Sequence, residues 1–198
     1  MSGEAGRPAV FLDRDGTLTA EGEWVTTSRE LELLPFAAEA IVVLRRAGYA
    51  VVLATNQSAV ARGFVTEAGL AEIHAHMREE LARDGAELDG VYVCPHHPTE
   101  GFPPYRRECE CRKPKPGMLL AAARDLGLDL AASWAVGDAE RDLQAGAAVG
   151  ARGILVATGK GRSEYARLVR ERKPPEAFVE DVLAAARSIA AARPGALR

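Results

Sequence analysis

Near its start the chain reads Pro8-Ala9-Val10-Phe11-Leu12-Asp13-Arg14-Asp15-Gly16-Thr17. The apolar run before Asp13 is typical of a buried strand, and Gly16 marks a turn directly after it. Because residues two apart in an extended chain point to the same side, Asp13 and Asp15 can face one reacting centre. Two carboxylates placed in this way can divide nucleophilic attack and proton transfer between them, and can bind a cation such as Mg²⁺.

The same Asp-x-Asp-Gly pattern also occurs in calcium-binding loops and in ordinary turns. An EF-hand requires a helix before the loop and a glutamate that closes it, and this stretch has neither. An ordinary turn stays open as an alternative when these residues are taken alone.

Strand-like and helix-like segments alternate along the chain. The patterns predict strands over residues 8–13, 49–54, 88–94, 133–136 and 153–157, and helices over 35–47, 66–84, 117–126, 140–148 and 176–192. Such alternation predicts an α/β fold with a doubly wound, Rossmann-like, mostly parallel sheet and helices on both faces. Ligands bind beyond the carboxyl ends of the strands in such sheets. Four notable residues follow strand ends: Asp13, Thr55, Cys94 and Asp138.

Composition sets broad limits on function. The 198 residues are 47% hydrophobic and 27% charged, with a net charge of -3, which suits a globular enzyme and gives no sign of a nucleic-acid surface. No apolar stretch approaches the roughly 20 residues of a membrane span, and the first residues do not resemble a secretion signal. We therefore predict a single domain over 1–198 without a large cap domain, a cytoplasmic location, no membrane or nucleic-acid partner, and a monomer.

Three further segments carry polar residues of chemical interest. Residues 55–58, Thr-Asn-Gln-Ser, suit phosphate binding, although a polar turn that caps a helix would look the same. Lys113 can neutralise a phosphoryl group, although a lone lysine is more often a solvated surface charge. Asp138 ends a predicted strand, and Asp142 is expected to orient its neighbours or to cap the next helix.

All three cysteines lie between residues 94 and 111, in Cys94-Pro95-His96-His97 and Cys109-Glu110-Cys111. An odd number confined to one segment argues against a disulfide framework. Three sulfurs and one histidine nitrogen can surround a tetrahedral Zn²⁺, and four protein ligands would make that zinc structural. Free thiols beside a turn histidine are the alternative.

Taken together, four motifs resemble those of the haloacid-dehalogenase-like phosphatases: Asp13-Arg14-Asp15-Gly16-Thr17, Thr55-Asn56-Gln57-Ser58, Lys113-Pro114 and Gly137-Asp138. The resemblance implies that Asp13 is the nucleophile, that Asp15 is the general acid and base, and that Thr55 and Lys113 bind the phosphoryl group. It also implies a Mg²⁺ site built from the Asp13 carboxylate, the Asp15 backbone carbonyl and Asp138.

The cysteine pattern narrows the resemblance to the heptose 1,7-bisphosphate 7-phosphatases and the histidinol-phosphate phosphatases. It implies that His96 joins Cys94, Cys109 and Cys111 in binding zinc, and that His97 does not. The residues expected to bind substrate are Asn56, Gln57, Ser58, Arg62 and Arg112. The leading expectation is removal of the 7-phosphate from D-glycero-D-manno-heptose 1,7-bisphosphate. The alternatives are histidinol-phosphate hydrolysis and a non-catalytic binding module on the same fold.

A few residues receive less specific predictions. His74 and His76 lie two apart in a predicted helix and are expected to be exposed to solvent. Arg107 is expected at a rim or in solvent, and Trp24 either borders the substrate pocket or packs in the ordinary way. Residues 159–161, Gly-Lys-Gly, are expected to form a simple turn.

Overall fold

A six-stranded parallel sheet forms the centre of the molecule. The structure, a computed structural model, describes residues 6–22 and 24–193. The strands are β1 (Arg7–Leu12), β2 (Ala50–Asn56), β3 (Gly90–Cys94), β4 (Leu128–Gly137), β5 (Arg152–Val156) and β6 (Phe178–Val179). Their order across the sheet is β3-β2-β1-β4-β5-β6, and each adjacent pair is parallel.

Six helices connect the strands. They are α1 (Ala37–Arg46), α2 (Glu67–Arg83), α3 (Gly117–Leu126), α4 (Glu140–Ala147), α5 (Gly161–Arg170) and α6 (Val182–Ala191), with a short 3-10 helix over Ser28–Glu30. Among the described residues, no helix combines the length and the apolarity that crossing a membrane requires.

Alternate residues of β1 serve two separate cores, one on each face of the sheet. Val10 and Leu12 pack with buried residues of α1, α2 and α6, whereas Ala9 and Phe11 pack with buried residues of α3. A strand that is buried on both faces must be apolar at every position, which explains the unbroken run before Asp13. The predicted doubly wound parallel sheet with helices on both faces is confirmed.

The chain departs from the predicted elements mainly after residue 157. The predicted helix over 176–192 is wrong in its first part, because residues 178–179 form the edge strand β6 and Asp181 caps α6 by accepting from the Ala184 N–H at 2.8 Å. The turn predicted at 159–161 leads directly into α5, which was not predicted. Helix α5 buries only Gly161 and Leu168 and is mostly polar, so its sequence offers few apolar positions by which to recognise a helix.

The strand order places the functional candidates together. Leu12 pairs with Leu53 of β2 on one side and with Val136 of β4 on the other, so the ends of these three strands lie side by side. Asp13 then donates its N–H to the Val136 carbonyl at 3.0 Å. Residues that follow β1, β2 and β4 therefore converge at the centre of one sheet edge, where doubly wound folds bind their ligands.

Candidate active site

Three buried aspartates and a buried lysine form a charge cluster at this edge. Asp13 follows β1, Asp138 follows β4, and Asp142 lies in the first turn of α4. The Lys113 Nζ lies 3.0 Å from Asp13 Oδ1 and 2.6 Å from Asp142 Oδ1, and it donates to the Ala54 carbonyl at 2.7 Å. All four side chains are at most 4% exposed. A buried lysine with three acceptors stays charged and is fixed in position.

Burial and neighbouring charge act against each other on these groups. Burial alone would raise the pKa of Asp13, but Lys113 and Arg141 more than offset it, so this pKa is lowered and Asp13 is held as a carboxylate. Burial likewise opposes the charge of Lys113, but Asp13 and Asp142 raise its pKa. A charged carboxylate beside a fixed ammonium group is suited to nucleophilic attack on a phosphoryl group.

Asp138 is the least satisfied member of the cluster. Burial, reinforced by Asp13 and Asp142, raises the pKa of Asp138 to about 7, although the Lys160 N–H donates to its Oδ2 at 2.8 Å. Its Oδ1 is buried and has no hydrogen-bond partner among the described residues. A cation bound to this oxygen would offset the repulsion among the three carboxylates and would replace the solvation that the buried oxygen has lost.

The donor atoms of the cluster fit a hard divalent cation. One carboxylate oxygen from each of Asp13, Asp138 and Asp142 lies within 4.8 Å of the others, and Mg²⁺ prefers oxygen ligands of this kind. Gly16, which has φ +76°, makes room for the cluster, because a Cβ at this position would collide with Asp138 Oδ2. The Asp15 side chain lies outside the cluster, so its predicted part in the metal site can come only from its backbone.

Beside the cluster lies a cavity of about 250 Å³. Of the predicted residues, six line it: Asp15, Asn56, Gln57, Ser58, Arg112 and Asp138. Arg62 does not line the cavity; it forms an ion pair with Glu100, and its guanidinium lies 4.9 Å from the centre of the Trp24 ring. Trp24 does line the cavity, in agreement with the first of its two expected placements.

The two amides predicted to bind substrate already have protein partners. Asn56 Nδ2 donates to the Lys113 carbonyl and Asn56 Oδ1 accepts the Lys113 N–H, both at 3.1 Å. Gln57 Nε2 donates to Asp15 Oδ2 at 2.8 Å and to Thr55 Oγ1 at 2.9 Å. Both side chains border the cavity, but their polar atoms organise the residues around it.

Arg141, which was not predicted, also lines the cavity. It comes from the first turn of α4 between Asp138 and Asp142, and the charges of Asp142, Asp13 and Asp138 raise its pKa despite burial. Its Nε is buried without a hydrogen-bond partner in the part of the chain that the structure describes. The only signal in the sequence is its place between two site aspartates, which does not distinguish it from an exposed helix residue.

The cysteine segment forms a second, separate cluster. The three Sγ atoms lie 3.2–3.6 Å apart, and His96 Nδ1 lies 3.3 Å from Cys111 Sγ and 3.8 Å from Cys94 Sγ. These distances are close to the edge of about 3.8 Å expected for a tetrahedron with Zn–S bonds of about 2.3 Å. The four residues therefore fit a zinc ion, which would be bound through the Nδ1 atom of the histidine.

The neighbours of the cluster distinguish the two histidines. Arg107 Nη2 lies 2.9 Å from His96 Nε2, and Arg107 is exposed, as expected for a residue at a rim or in solvent. His97 Nδ1 instead accepts the Glu100 N–H at 2.9 Å and lies outside the cluster. Arg112 donates to the His96 carbonyl at 2.9 Å, which ties this segment to the cavity wall.

The prediction that His74 is exposed is wrong. His74 is 5% exposed and lies 3.2 Å from Arg14 Nη1, whereas His76 is partly exposed and lies 3.4 Å from Glu80. Residues two apart on a helix do point in different directions, as predicted. Here, however, one of them points toward Arg14 in the active site and not toward solvent. Which direction is buried depends on how α2 packs, and the spacing does not contain that information.

Known proteins of similar sequence and structure have related activities in their names. A family model described as HAD-hydrolase-like matches residues 110–185. The D-glycero-beta-D-manno-heptose-1,7-bisphosphate 7-phosphatase of Photorhabdus laumondii is 45% identical over 78% of this chain and 83% of its own. The enzyme of that name from Escherichia coli strain K12 is 44% identical over 77% of this chain and 81% of its own.

A solved structure extends the similarity to the whole fold. The D,D-heptose 1,7-bisphosphate phosphatase of B. bronchiseptica, complexed with magnesium and phosphate, has a TM-score of 0.79 and 40% identity, over 92% of this chain and 97% of that one. Identity of this order over most of both chains, with four motifs at one sheet edge, establishes the family. The chain therefore belongs to the haloacid-dehalogenase-like phosphatases and is a phosphoric monoester hydrolase.

Proposed function

We propose that this enzyme removes the 7-phosphate from D-glycero-D-manno-heptose 1,7-bisphosphate through an aspartyl-phosphate on Asp13. The observation that carries the proposal is a cavity lined by Asp15 and Asp138, beside the cluster that contains Asp13. Arg112 and Arg141 also line this cavity. The relatives at 44–45% identity have this activity in their names. A doubly phosphorylated sugar supplies an anion for each end of such a cavity.

The first half-reaction transfers the phosphoryl group to the enzyme. An Asp13 carboxylate oxygen attacks phosphorus, the bond from phosphorus to the sugar oxygen breaks, and Asp15 gives its proton to that oxygen. Lys113, held between Asp13 and Asp142, neutralises the phosphoryl oxygens, and Thr55 donates a hydrogen bond to them. Asp142 thus positions the lysine and also caps α4 by accepting the Ala139 N–H at 3.1 Å.

The second half-reaction releases phosphate. Asp15, now ionised, takes a proton from water as the water oxygen attacks phosphorus, and the bond from phosphorus to Asp13 breaks. A Mg²⁺ held by Asp13, Asp138 and the Asp15 carbonyl would supply positive charge to the phosphoryl oxygens in both steps. Asp138 is suited to bind this ion because its Oδ1 is buried and has no hydrogen-bond partner within residues 6–22 and 24–193.

The second phosphate of the substrate would be held by Arg112 and Arg141. Three arginines and Lys160 line the cavity, but Arg14 is paired with Asp15. Lys160 is paired with Glu21. Arg112 and Arg141 are therefore left for an anion farther from the reacting centre. Arginine grips phosphate with two parallel N–H donors, and each charged hydrogen bond contributes roughly 1.5–3 kcal/mol. Burial lowers the pKa of Arg112, so an anionic partner would also stabilise its charged form.

The cysteine cluster would hold a structural zinc ion. Its four ligands leave no position for substrate, and its role would be to order the loop that leads from β3 to Lys113. The single domain, the monomeric state and the cytoplasmic location stay predictions from the sequence.

The first test is Mg²⁺-dependent phosphate release. We expect kcat/KM for one anomer of heptose 1,7-bisphosphate to exceed that for histidinol phosphate by about a hundredfold or more, as two lost charged contacts would produce. A preference for histidinol phosphate would assign the enzyme to that alternative substrate. Release from neither substrate, nor from any small monoester, would favour the non-catalytic binding module.

Single variants test the role of the arginines. We expect Arg112→Met and Arg141→Met each to lower kcat/KM for the bisphosphate by about 10- to 100-fold. Arg112→Met should change kcat/KM for heptose 7-phosphate little, since this substrate lacks the second anion. Arg141→Met should lower that value moderately, because Arg141 also helps to keep Asp13 ionised. Arg106→Met, at an exposed arginine outside the cavity lining, is the matched control. Equal losses on both substrates would contradict the assignment of these arginines to the second phosphate.

A further inference from the structure

Arg14, the residue between the two catalytic aspartates, is one of the most completely buried large side chains of the molecule. It is 1% exposed. A guanidinium group without water is stable only when its N–H groups have partners and its charge is balanced. The partners of Arg14 therefore indicate what the residue does.

Two of its nitrogens grip the Asp15 carboxylate. Arg14 Nε donates to Asp15 Oδ1 at 2.8 Å, and Arg14 Nη2 donates to Asp15 Oδ2 at 3.1 Å. This forked arrangement fixes both the position and the plane of a carboxylate, which a single contact does not. Neighbouring residues in an extended strand point to opposite sides, so the contact depends on the turn that begins at Asp15 and Gly16.

Gln57 closes a ring around the same carboxylate. Its Oε1 accepts from Arg14 Nη2 at 2.9 Å, while its Nε2 donates to Asp15 Oδ2 at 2.8 Å. Asp15 thus receives three N–H donors from two side chains. Both ends of the Gln57 amide are occupied in this ring, which explains its place at the cavity better than a substrate contact does.

His74 fixes the far end of Arg14. Its Nε2 lies 3.2 Å from Arg14 Nη1, and burial together with the Arg14 charge lowers the pKa of His74 to about 3. The imidazole is therefore neutral at ordinary pH, and its Nε2 accepts from the guanidinium. Helix α2 thereby contributes to the active site through a residue that does not line the cavity beside the aspartates.

We infer that Arg14 is a positioning residue that holds Asp15 in the orientation needed to protonate the leaving group, with Gln57 and His74 fixing Arg14 in turn. This inference rests on the proposed function, because it requires Asp15 to be the general acid. It adds a residue of the cavity wall that acts through Asp15, because its guanidinium N–H groups face Asp15, Gln57 and His74. It also predicts that the contribution of Arg14 depends on how much the leaving group needs a proton.

Leaving-group dependence tests the inference. A sugar alkoxide requires protonation as it leaves, whereas p-nitrophenolate does not, and general acid catalysis contributes roughly 10²–10⁴-fold. We expect Arg14→Met to lower kcat/KM for the best alkyl phosphate substrate by about a hundredfold and for p-nitrophenyl phosphate by less than about threefold. Arg78→Met, at an arginine of α2 that donates to the Leu88 carbonyl and lies outside the cavity lining, should leave both values unchanged.

A double-mutant comparison separates positioning from a general structural role. In an Asp15→Asn background, Arg14→Met should lower kcat/KM for the alkyl phosphate no further, because its effect passes through Asp15. Gln57→Met, which retains Arg14, should show the same dependence on the leaving group to a smaller degree, and it serves if Arg14→Met does not fold. Equal losses on both substrates, or a further loss in the Asp15→Asn background, would overturn the inference and leave the proposed function intact. Absence of activity in the wild-type enzyme would overturn both.

Discussion

The aspartate cluster and the cysteine cluster each offer ligands for a metal ion, but they are built in opposite ways. Asp13, Asp138 and Asp142 come from the ends of two strands and the start of a helix, with more than a hundred residues between the first and the second. The cysteine cluster takes its four ligands from residues 94–111 alone. Within the described part of the chain, Asp138 keeps a buried oxygen that has no hydrogen-bond partner, whereas the thiols and the imidazole contact one another.

Under the proposed function, this difference distinguishes a catalytic site from a structural metal site. The sheet holds the aspartates apart against their repulsion, so that a cation and a phosphate can enter between them. The cysteine cluster has no comparable frame, since the loop around it contains no helix or strand of its own from residue 95 to residue 116. The zinc proposed for this cluster would order the loop, whereas the aspartates are ordered by the sheet.

The largest expected effect on activity comes from a substitution in the aspartate cluster. Asp13→Asn should lower kcat by about 10⁴-fold or more, because the amide is a poor nucleophile and no longer balances Lys113 at 3.0 Å. The fold and the zinc content should be retained, as judged by circular dichroism and metal analysis. Asp84→Asn, at the exposed end of α2, is the control and should keep full activity. Undiminished phosphate release by Asp13→Asn would rule out Asp13 as the nucleophile.

The second largest effect is expected on zinc content and stability, from a substitution in the cysteine cluster. Cys109→Ser should reduce zinc from about one ion per chain to a small fraction, and should lower the free energy of unfolding by about 4 kcal/mol. Metal analysis and chemical denaturation measure the two quantities. His97→Gln should retain zinc, because His97 lies outside the cluster although it adjoins His96. Zinc-free wild-type protein with the same stability as the zinc-loaded form would show that the cluster binds no structural metal.

The smallest effect concerns the support of the aspartate cluster by α2. The pKa of His74 is lowered to about 3 in the folded protein, whereas an unfolded histidine titrates near 6.5. The unfolded chain therefore binds more protons than the folded protein between these two pH values. As a result, the contribution of neutral His74 to the free energy of unfolding is fully present above pH 6.5 and is lost as the pH falls toward 3. Between pH 7 and pH 5 this amounts to about 2 kcal/mol.

Comparison of two glutamine variants isolates this contribution. His74→Gln keeps an acceptor for Arg14 but cannot be protonated, so its stability should fall less steeply below pH 6.5 than that of the wild type. His76→Gln, at the partly exposed histidine, should follow the wild type. Urea denaturation of zinc-loaded protein at pH 5, 6 and 7 gives the three curves. Parallel curves for His74→Gln and the wild type would show that His74 does not resist protonation in the folded state.

The sheet and both clusters could be predicted from the sequence because each of their parts is encoded by residues that are close together in the chain. The run before Asp13 is apolar at every position, as a strand buried on both faces requires, and the cysteines lie within 18 residues of one another. The motifs fall at strand ends, and a parallel sheet brings such ends to one edge.

What was not predicted depends on packing between distant segments. Arg141 and His74 occupy helix positions whose direction follows from how α4 and α2 lie on the sheet, and nearby residues do not encode that. Helix α5 was not predicted because ion pairs stabilise its exposed face: Arg167 contacts Glu140, Glu164 and Glu171 at 2.8–3.0 Å. Strand β6 has two residues, too few to show an alternating pattern.

The paired hydrogen bonds between Asn56 and the Lys113 backbone have a consequence for how this enzyme can evolve. Asn56 ends β2, and Lys113 lies two residues after Cys111 of the cysteine cluster. The Lys113 backbone is therefore fixed both by β2 and by its closeness to that cluster. The segment from 98 to 108 lies between the cluster residues His96 and Cys109 and contains exposed residues such as Phe102. Glu100 of this segment pairs with Arg62, which lies against Trp24 of the cavity wall. Substitutions there would act on that wall while the nucleophile, the lysine and the metal ligands kept their places. The loop is therefore the part of the molecule where a new substrate preference can arise with the least disturbance to catalysis.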